Sequence, residues 1–468
     1  MTDDFAHWQA FEAVYRQDRF SEALDQLEAF PEALHDDFQW LAHKADLLGK
    51  IGDHEGEIAL LAALMDSHPT VTSLWVSMAN AQKTLGRTDE AVATLRQAIA
   101  KQPGYGKPWW LLSDLKSFRF DDADVTTMEA LLASGTDQDR IPLNFALAKA
   151  FEDRGDAARA FDYYAHGNRL RAATLDPQGA ILTPKIDRSI ATFTADFLAA
   201  RKGQGAPSTA PIFIVGLQRS GSTLIEQILA SHSLIEGTSE LPLIPHLNRE
   251  IAFDLSLAPG DLFDRIESLT PPQLRALGDA YVARSATFRC TDRPFFIDKL
   301  PGNWTNLGLI RLILPNAKII DARRHPLATG FSNFKQNYGA GAAFSYDLTT
   351  IGRYYRDYLR MMTHFERVDP GAVHRVVNEH LIDHFETQVR ALLAYVGVDY
   401  DPACLDFHNN RRAVATPSAE QVRRPINRDG VDQWRVVDPM LKPLKQALGP
   451  ALEGWDLPPG TYRDEDEN

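Results

Sequence analysis

A glycine-containing stretch, residues 216–223, has the residue types and spacing of a loop that binds phosphate groups. It follows the apolar run 211–215, which is typical of a buried parallel strand, and it precedes an apolar helical stretch. Such a turn directs backbone N–H groups and a helix N-terminus toward an anion. Ser222 stands where a nucleotide kinase carries lysine, which disfavours ATP hydrolysis and kinase chemistry. The planar guanidinium of Arg219 suits phosphate or sulfate oxygens.

Charged side chains follow other strand-like runs. Arg324 ends an apolar run, and Ser332 follows it by eight residues on a predicted helix. Lys299 follows another apolar run, and Glu240 precedes a predicted helix, with Glu236 as the alternative carboxylate. Because parallel strands end at one edge of a sheet, we expect two anion sites there with a cationic amine between them. A carboxylate nearby is suited to taking a proton from a hydroxyl group.

The loop around Arg219 resembles the 5′-phosphosulfate loop of sulfotransferases that use 3′-phosphoadenosine 5′-phosphosulfate (PAPS). It is most similar to the protein-tyrosine sulfotransferase branch and its bacterial repeat-fused relatives. The resemblance covers about residues 190–450 and consists of four short motifs in the same order. The resemblance implies that the donor is bound by Gln218, Arg219, Ser220, Gly221, Ser222, Thr223, Arg324, Ser332, Asn378, Ser418 and Arg423.

The resemblance also implies roles in catalysis. Glu240 would be the base that takes the proton of the acceptor hydroxyl, and Lys299 would contact the bridging oxygen of the donor. Arg219 would hold the transferred group during in-line transfer, without a metal or a covalent enzyme intermediate. The product of the donor would be 3′,5′-adenosine bisphosphate.

Three positions depart from the family pattern. Asn378 stands where relatives often carry a tyrosine near the nucleotide. Gln433 stands where a basic residue precedes a tryptophan, so Arg435 or Arg423 would have to replace that contact. Pro242 stands where the tyrosine-sulfating enzymes carry an arginine that anchors the substrate. The acceptor therefore stays open among protein tyrosines, sugar hydroxyls and small phenols.

The N-terminal third predicts a helical repeat that precedes the α/β domain. Trp75 and Trp109 are 34 residues apart, which is the period of the tetratricopeptide repeat. Such an arm would bind a peptide or protein partner, support the second domain or mediate homodimerisation. The second domain is expected to be a P-loop-like, three-layer α/β domain with a parallel sheet. The predicted divisions are a tetratricopeptide domain at 1–180, a connecting helix and linker at 181–210, a sulfotransferase domain at 211–455 and a disordered acidic tail at 456–468.

Composition limits the class of protein. A formal net charge of -14 argues against a general nucleic-acid binder, which needs a basic surface. Cys290 and Cys404 are far apart and have no metal-type spacing, so neither a disulfide framework nor a metal site is indicated. The acidic, amphipathic first segment and the lack of a long apolar run predict a cytoplasmic protein without a membrane span.

Two other functions compete with sulfuryl transfer. A degenerate nucleotide kinase would use ATP and would show no preference for a 3′-phosphorylated nucleotide. A repeat scaffold with a vestigial nucleotide-binding domain would bind a partner without catalysis. Intact Arg219, Lys299, Arg324 and Ser332 argue against such decay.

Overall fold

Two compact units make up the chain. The computed structural model describes residues 2–16, 19–176, 180–254, 256–414 and 416–464. The first unit comprises Met1–Asp153 with Arg411–Gln421, and the second comprises Arg154–Asn410 with Val422–Asn468. Across these described ranges, the search for a helix of sufficient length and hydropathy to cross a bilayer finds none.

The first unit is helical. Its helices are α1 (Thr2–Tyr15), α2 (Phe20–Glu28), α3 (Phe38–Lys50), α4 (His54–Ser67), α5 (Thr72–Thr84), α6 (Thr88–Lys101), α7 (Gly106–Asp114), α8 (Asp122–Ser134) and α9 (Asp137–Asp153). These helices pack in consecutive pairs from α1 to α7, while α7 and α8 both pack against α9.

The contact between α5 and α6 explains why this sequence forms helical pairs. Met78 and Ala79 are buried on α5, while Ala91, Leu95 and Ala98 form one buried stripe on α6. The small alanine side chains allow two helices to approach closely, and the larger side chains fill the space beside them. The predicted helical character of this region agrees with the structure, whereas its assignment to the tetratricopeptide family stays a prediction.

A distant segment, 411–421, completes the helical unit. The N–H of Val414 donates to the carbonyl of Thr84 at 3.2 Å, and the Glu420 carboxylate accepts from the N–H of Ser117 at 3.0 Å. Val414 and Ala419 are buried. The helical unit is therefore built from two stretches of the chain, and the sequence analysis had included the second stretch in the α/β domain.

The second unit alternates strands and helices. Its strands are β1 (Pro211–Gly216), β2 (Ile235–Gly237), β3 (Phe295–Asp298), β4 (Lys318–Arg323) and β5 (Val373–Val377). Its helices are α10 (Ala157–Ala172), α11 (Thr183–Thr192), α12 (Ala195–Ala200), α13 (Ser222–Ala230), α14 (Leu243–Phe253), α15 (Leu262–Ser268), α16 (Pro271–Ser285), α17 (Leu307–Ile313), α18 (Pro326–Phe334), α19 (Leu348–Val368), α20 (Asn378–Asp383), α21 (Phe385–Val396), α22 (Lys442–Leu448) and α23 (Ala451–Gly454).

The strands form one parallel sheet in the order β2-β3-β1-β4-β5. Ile212 and Ile214 of β1 point to a core shared with α13 and α21. On the other face, the ring of Phe213 contacts Tyr281 of α16 at a centroid distance of 5.4 Å, and Tyr358 of α19 donates to Asp321 of β4. Because helices cover both faces, every strand residue of β1 is buried. The predicted parallel sheet is confirmed.

The segment after residue 455 packs within the second unit as far as the structure describes it. Tyr462 and Asp464 are buried, and Asp464 forms an ion pair with Arg356 of α19. This differs from the disordered tail expected from residue 456, because a half-buried arginine on α19 supplies a partner for the acidic side chain. Residues 465–468 of that predicted tail lie outside the described residues.

Candidate anion-binding and catalytic site

Each strand of the described sheet is followed by one candidate site residue. Arg219 follows β1, Glu240 follows β2, Lys299 follows β3, Arg324 follows β4 and Asn378 follows β5. All strands of this sheet are parallel, so their carboxyl ends lie at the same edge. The sheet therefore collects these side chains at the edge where open α/β domains bind ligands.

The loop between β1 and α13 has a constrained backbone. Gly216 and Gly221 have φ values of 140° and 97°, and Arg219 has a φ of 67°. Glycine adopts such angles without steric cost, whereas Arg219 stores strain of the kind that functional loops carry. A Cβ atom on Gly221 would lie 2.6 Å from the side-chain oxygen of Asn378. Asn378 therefore packs directly against the loop, and a larger residue at Gly221 would displace the Asn378 side chain and adopt an unfavourable φ.

Two arginines meet beside this loop. The Nε of Arg219 donates to the Oγ of Ser332 at 3.1 Å, and Arg324 donates to the Arg219 carbonyl at 3.0 Å. Arg324 also donates to the carbonyl of Gly430. Burial lowers the pKa of Arg324 to about 10, and the charge of Arg219 acts in the same direction, while Glu379 opposes it. Two cations held close together in a partly desolvated place favour an anion between them.

Polar groups of the loop add to this site. The side-chain amide of buried Asn333 donates to the Gln218 carbonyl at 2.8 Å. Within the described ranges, the side-chain oxygens of Gln218 and Ser220 are buried without a hydrogen-bond partner. Ser222 and Thr223 are buried in the first turn of α13. Buried polar atoms normally have partners, so these atoms fit a loop that binds a polar ligand.

Lys299 and Glu240 are in direct contact. The Nζ of Lys299 donates to Oε1 of Glu240 at 2.7 Å and lies 3.9 Å from Oε2 of Glu226. The side chains of Lys299 and Glu226 are each 1% exposed, whereas that of Glu240 is 47% exposed. The N–H of Lys299 donates to the carbonyl of Ser239 at 2.9 Å. The site thus joins a buried ammonium to a carboxylate that solvent and ligands can reach.

Glu236, the alternative carboxylate, is held by structural hydrogen bonds and an ion pair. It lies on β2 and is buried. It forms an ion pair with Arg289 at 3.3 Å and accepts the N–H groups of Cys290 and Thr291. These bonds occupy its oxygens, so the geometry favours Glu240 as the carboxylate available for proton transfer.

Asp298, directly before Lys299, is buried and accepts a hydrogen bond from the hydroxyl of Tyr281 at 2.9 Å. Burial raises the pKa of Asp298 to about 7, although the Tyr281 hydroxyl and the backbone N–H groups of Leu241 and Leu300 oppose that shift. The Lys299 ammonium bonds to Glu240 instead. Asp298 therefore lies behind the site and faces α16.

Arg323 and Arg324 are neighbours in sequence with different environments. Arg323 is buried and forms an ion pair with Asp321 at 2.6 Å, and it donates to the carbonyl of Trp455 at 3.1 Å. Arg324 contacts the loop after β1. Only the second arginine is therefore placed to bind a ligand at the sheet edge.

The C-terminal candidates are more dispersed. Gln433 accepts a hydrogen bond from Lys335 at 3.0 Å, so a lysine accompanies the position at which the family pattern has a basic residue. Arg435 is exposed and pairs with a neighbouring aspartate. Arg423 ends a short 3₁₀ helix, and Ser418 lies in the segment 411–421 of the helical unit. Donor contacts of Ser418 and Arg423 stay predictions.

Sequence reasoning did not name Glu226, Asn333 or Lys335. A carboxylate within the otherwise apolar run of α13 was an available signal for Glu226. Lys335 lies three residues after Ser332, a spacing that puts both side chains on one helical face. A search of the described ranges for three or more His, Cys, Asp or Glu side chains able to hold a metal finds no such group.

Residues 211–402 match the sulfotransferase family model. An uncharacterized protein of Aquifex aeolicus is 30% identical over 397 residues, which are 83% of this chain and 52% of that protein. The chain thus spans about half the length of this curated relative.

Several solved structures are also similar. The sulfotransferase domain of the Synechococcus PCC 7002 olefin synthase is 21% identical, with a TM-score of 0.36, over 50% of this chain and 90% of that one. The sulfotransferase domain of the curacin biosynthetic pathway is 19% identical, with a TM-score of 0.39, over 54% and 100%. Sulfotransferase STF9 from Mycobacterium avium is 14% identical, with a TM-score of 0.31, over 74% and 98%.

Proposed function

Because residues 211–402 carry a sulfotransferase family domain, we propose that this protein transfers a sulfuryl group from PAPS to an acceptor hydroxyl. The observation that carries the proposal is the contact of Arg219 with both Ser332 and Arg324 beside the glycine-containing loop. Lys299 and Glu240 belong to the same sheet edge. Two cationic groups for phosphates and an amine–carboxylate pair are the parts that this chemistry requires.

In this proposal, two groups of residues hold the two ends of the donor. Arg219, Ser222, Thr223 and the loop amides bind the 5′-phosphosulfate. Arg324 and Ser332 bind the 3′-phosphate, which distinguishes PAPS from ATP. The proximity of the arginines supports this assignment, since the anion offsets the repulsion between them. The backbone approach allowed by Gly221 supports it as well.

The two catalytic residues act on the two bonds that change at the sulfur atom. The donor supplies the sulfuryl group. Glu240 takes the proton of the acceptor hydroxyl as the new S–O bond forms. Lys299 stabilises the bridging oxygen as the old S–O bond breaks and 3′,5′-adenosine bisphosphate leaves. The contact between Lys299 and Glu240 supports these roles, because it brings both groups to one reaction centre.

We assign the acceptor only as a hydroxyl group, on a protein tyrosine, a sugar or a small phenol. Pro242 directly precedes α14, at the position where tyrosine-sulfating relatives carry the substrate-anchoring arginine. The helical unit is proposed to be a tetratricopeptide arm that binds a protein partner or a second copy of the chain.

A thermal-unfolding comparison tests the donor assignment. The full chain is heated alone, with 3′,5′-adenosine bisphosphate or with ATP. At equal ligand concentrations the tighter ligand stabilises the folded state more, by about 2.7 kcal/mol when it is present at 100 times its dissociation constant, so the bisphosphate should raise the transition temperature more than ATP does. Equal shifts would favour a kinase, and no shift with either nucleotide would favour a scaffold.

Transfer of labelled sulfate from PAPS to a panel of hydroxyl acceptors tests the catalytic roles. Lys299→Ala and Glu240→Gln should each reduce turnover on the order of 10²-fold. Glu236→Gln is the matched control, because that buried carboxylate bonds to Arg289 and to backbone N–H groups. Unchanged turnover in both catalytic-site variants would refute the roles assigned to these residues.

A further inference from the structure

Glu226 is a buried carboxylate beside the proposed catalytic lysine. It lies on α13, the helix that begins at the loop after β1, and 1% of its side chain is exposed. Its Oε2 is 3.9 Å from the Nζ of Lys299, which is equally buried. A buried charge is costly unless an opposite charge or hydrogen bonds compensate it. Glu226 therefore has an electrostatic reason to be opposite Lys299.

Two carboxylates share the one ammonium group. Glu240 is the closer partner at 2.7 Å, but it is 47% exposed and is the proposed base. When Glu240 turns to an acceptor hydroxyl, it no longer compensates the charge of Lys299. Glu226 cannot leave in the same way, because it is enclosed by the core of the second unit. Its negative charge thus stays beside the ammonium when that of Glu240 moves away.

The same carboxylate holds the turn that carries Glu240. Oε1 of Glu226 accepts the N–H of Ser239 at 3.1 Å, and Ser239 has a φ of 68°. The left-handed region is unfavourable for serine, so this backbone conformation needs support from its surroundings. The neighbouring Thr238 bonds to the carbonyl of Ile297 on β3. Glu226 thereby joins the loop helix, the turn before Glu240 and the lysine after β3.

We propose that Glu226 is a positioning residue, which keeps Lys299 charged and holds the turn before Glu240 while Glu240 accepts a proton. This inference rests on the proposed sulfuryl transfer and adds Glu226 to the proposed catalytic residues Lys299 and Glu240. Among the described residues, the charged groups that form ion pairs with Lys299 are Glu226 from α13 and Glu240 from the turn after β2. Asp298 on β3 is adjacent in sequence, and its carboxyl group accepts from Tyr281 of α16.

Glu226→Gln separates the two parts of this role. The amide oxygen of glutamine can still accept the N–H of Ser239, whereas the negative charge beside Lys299 is lost. The readouts are binding of 3′,5′-adenosine bisphosphate and the rate of sulfate release from PAPS to water, measured from pH 6 to pH 10 in the full chain. We expect binding within about twofold of the original, a rate at neutral pH close to the original, and an alkaline limb, the fall in rate at high pH, that begins at a lower pH than in the original protein.

Two further variants distinguish this role from ordinary packing. Glu226→Asp keeps the charge, so it should keep the alkaline limb even if it weakens the turn. Glu236→Gln removes a buried carboxylate of β2 whose partner is Arg289 and not Lys299, so it should leave the limb in place.

The inference is overturned if Glu226→Gln keeps the original alkaline limb while the original protein releases sulfate. It is also overturned if Glu226→Gln and Glu236→Gln shift the limb equally. A failure of the original protein to bind the bisphosphate and to release sulfate would instead refute the proposed function, and the role of Glu226 with it.

Discussion

Replacing Asp298 with asparagine should change how the stability of the second unit depends on pH. The carboxyl group of Asp298 is buried behind Lys299 and accepts a hydrogen bond from Tyr281. Burial raises its pKa from the ordinary 3.8 to about 7. Asparagine has nearly the same shape and keeps an oxygen for the tyrosine hydroxyl, but it does not titrate. Comparing the original protein with Asp298→Asn therefore isolates the effect of protonating this one carboxyl group.

The folded state binds this proton more tightly than the unfolded state does, because the pKa is raised on folding. The stability contribution is fully present below about pH 4 and is lost as the pH rises through about 7. One pH unit corresponds to about 1.4 kcal/mol, so a shift of about three units is equivalent to about 4 kcal/mol. Relative to Asp298→Asn, the original protein should lose up to that amount of stability between pH 4 and pH 7.

Hydrogen–deuterium exchange of peptides that cover β3, combined with urea unfolding at each pH, measures this difference within the second unit. Asp401→Asn is the control, because the contribution of Asp401 to stability changes with pH in the opposite direction. Backbone hydrogen bonds, led by the N–H of Ala403, lower the pKa of Asp401, so its contribution is present above the ordinary carboxyl pKa and is lost toward acid. Parallel stability curves for the original protein and Asp298→Asn from pH 4.5 to 8.5 would refute the reasoning.

Two other changes test the anion site. Arg324→Met should remove most of the preference for 3′,5′-adenosine bisphosphate over adenosine 5′-monophosphate in titration calorimetry, because a charge-assisted contact worth about 1.5–3 kcal/mol is lost. The control is Arg390→Met, which replaces an exposed arginine on α21. An unchanged preference in Arg324→Met would contradict the assignment. Gly221→Ala should destabilise the second unit by about 1–3 kcal/mol and weaken bisphosphate binding, since its Cβ would meet Asn378 at a φ of 97°. Adding Asn378→Ala should restore only part of that stability in thermal unfolding, whereas complete restoration would show that backbone strain contributes nothing.

The sequence was sufficient to predict which strands are followed by the candidate site residues. Arg219, Lys299 and Arg324 each follow an apolar run that forms a parallel strand. A parallel sheet brings strand ends to one edge whatever the order of the strands. The common edge of these side chains could therefore be expected, whereas the contact between Arg219 and Arg324 depends on the pairing of β1 with β4, which the sequence analysis did not predict.

The contacts that depend on packing across the core could not be predicted in this way. Glu226 approaches Lys299 because α13 packs beside β1 and β2, and no periodicity in the sequence encodes that packing. Lys335 meets Gln433 across 98 residues, through the geometry of a long irregular segment. The burial of Asp464 likewise depends on Arg356, whereas composition alone favoured a solvated tail.

The segment 411–421 limits where the chain can be cut or recombined without damaging the helical unit. Val414 and Ala419 are part of the helical unit's own interior, yet they are encoded far downstream of its last helix. A gene exchange at residue 153 would transfer the helices without this segment and would leave a gap where Val414 bonds to Thr84. A complete helical unit therefore requires the chain through residue 421, including the α/β sequence that lies between residue 153 and this segment.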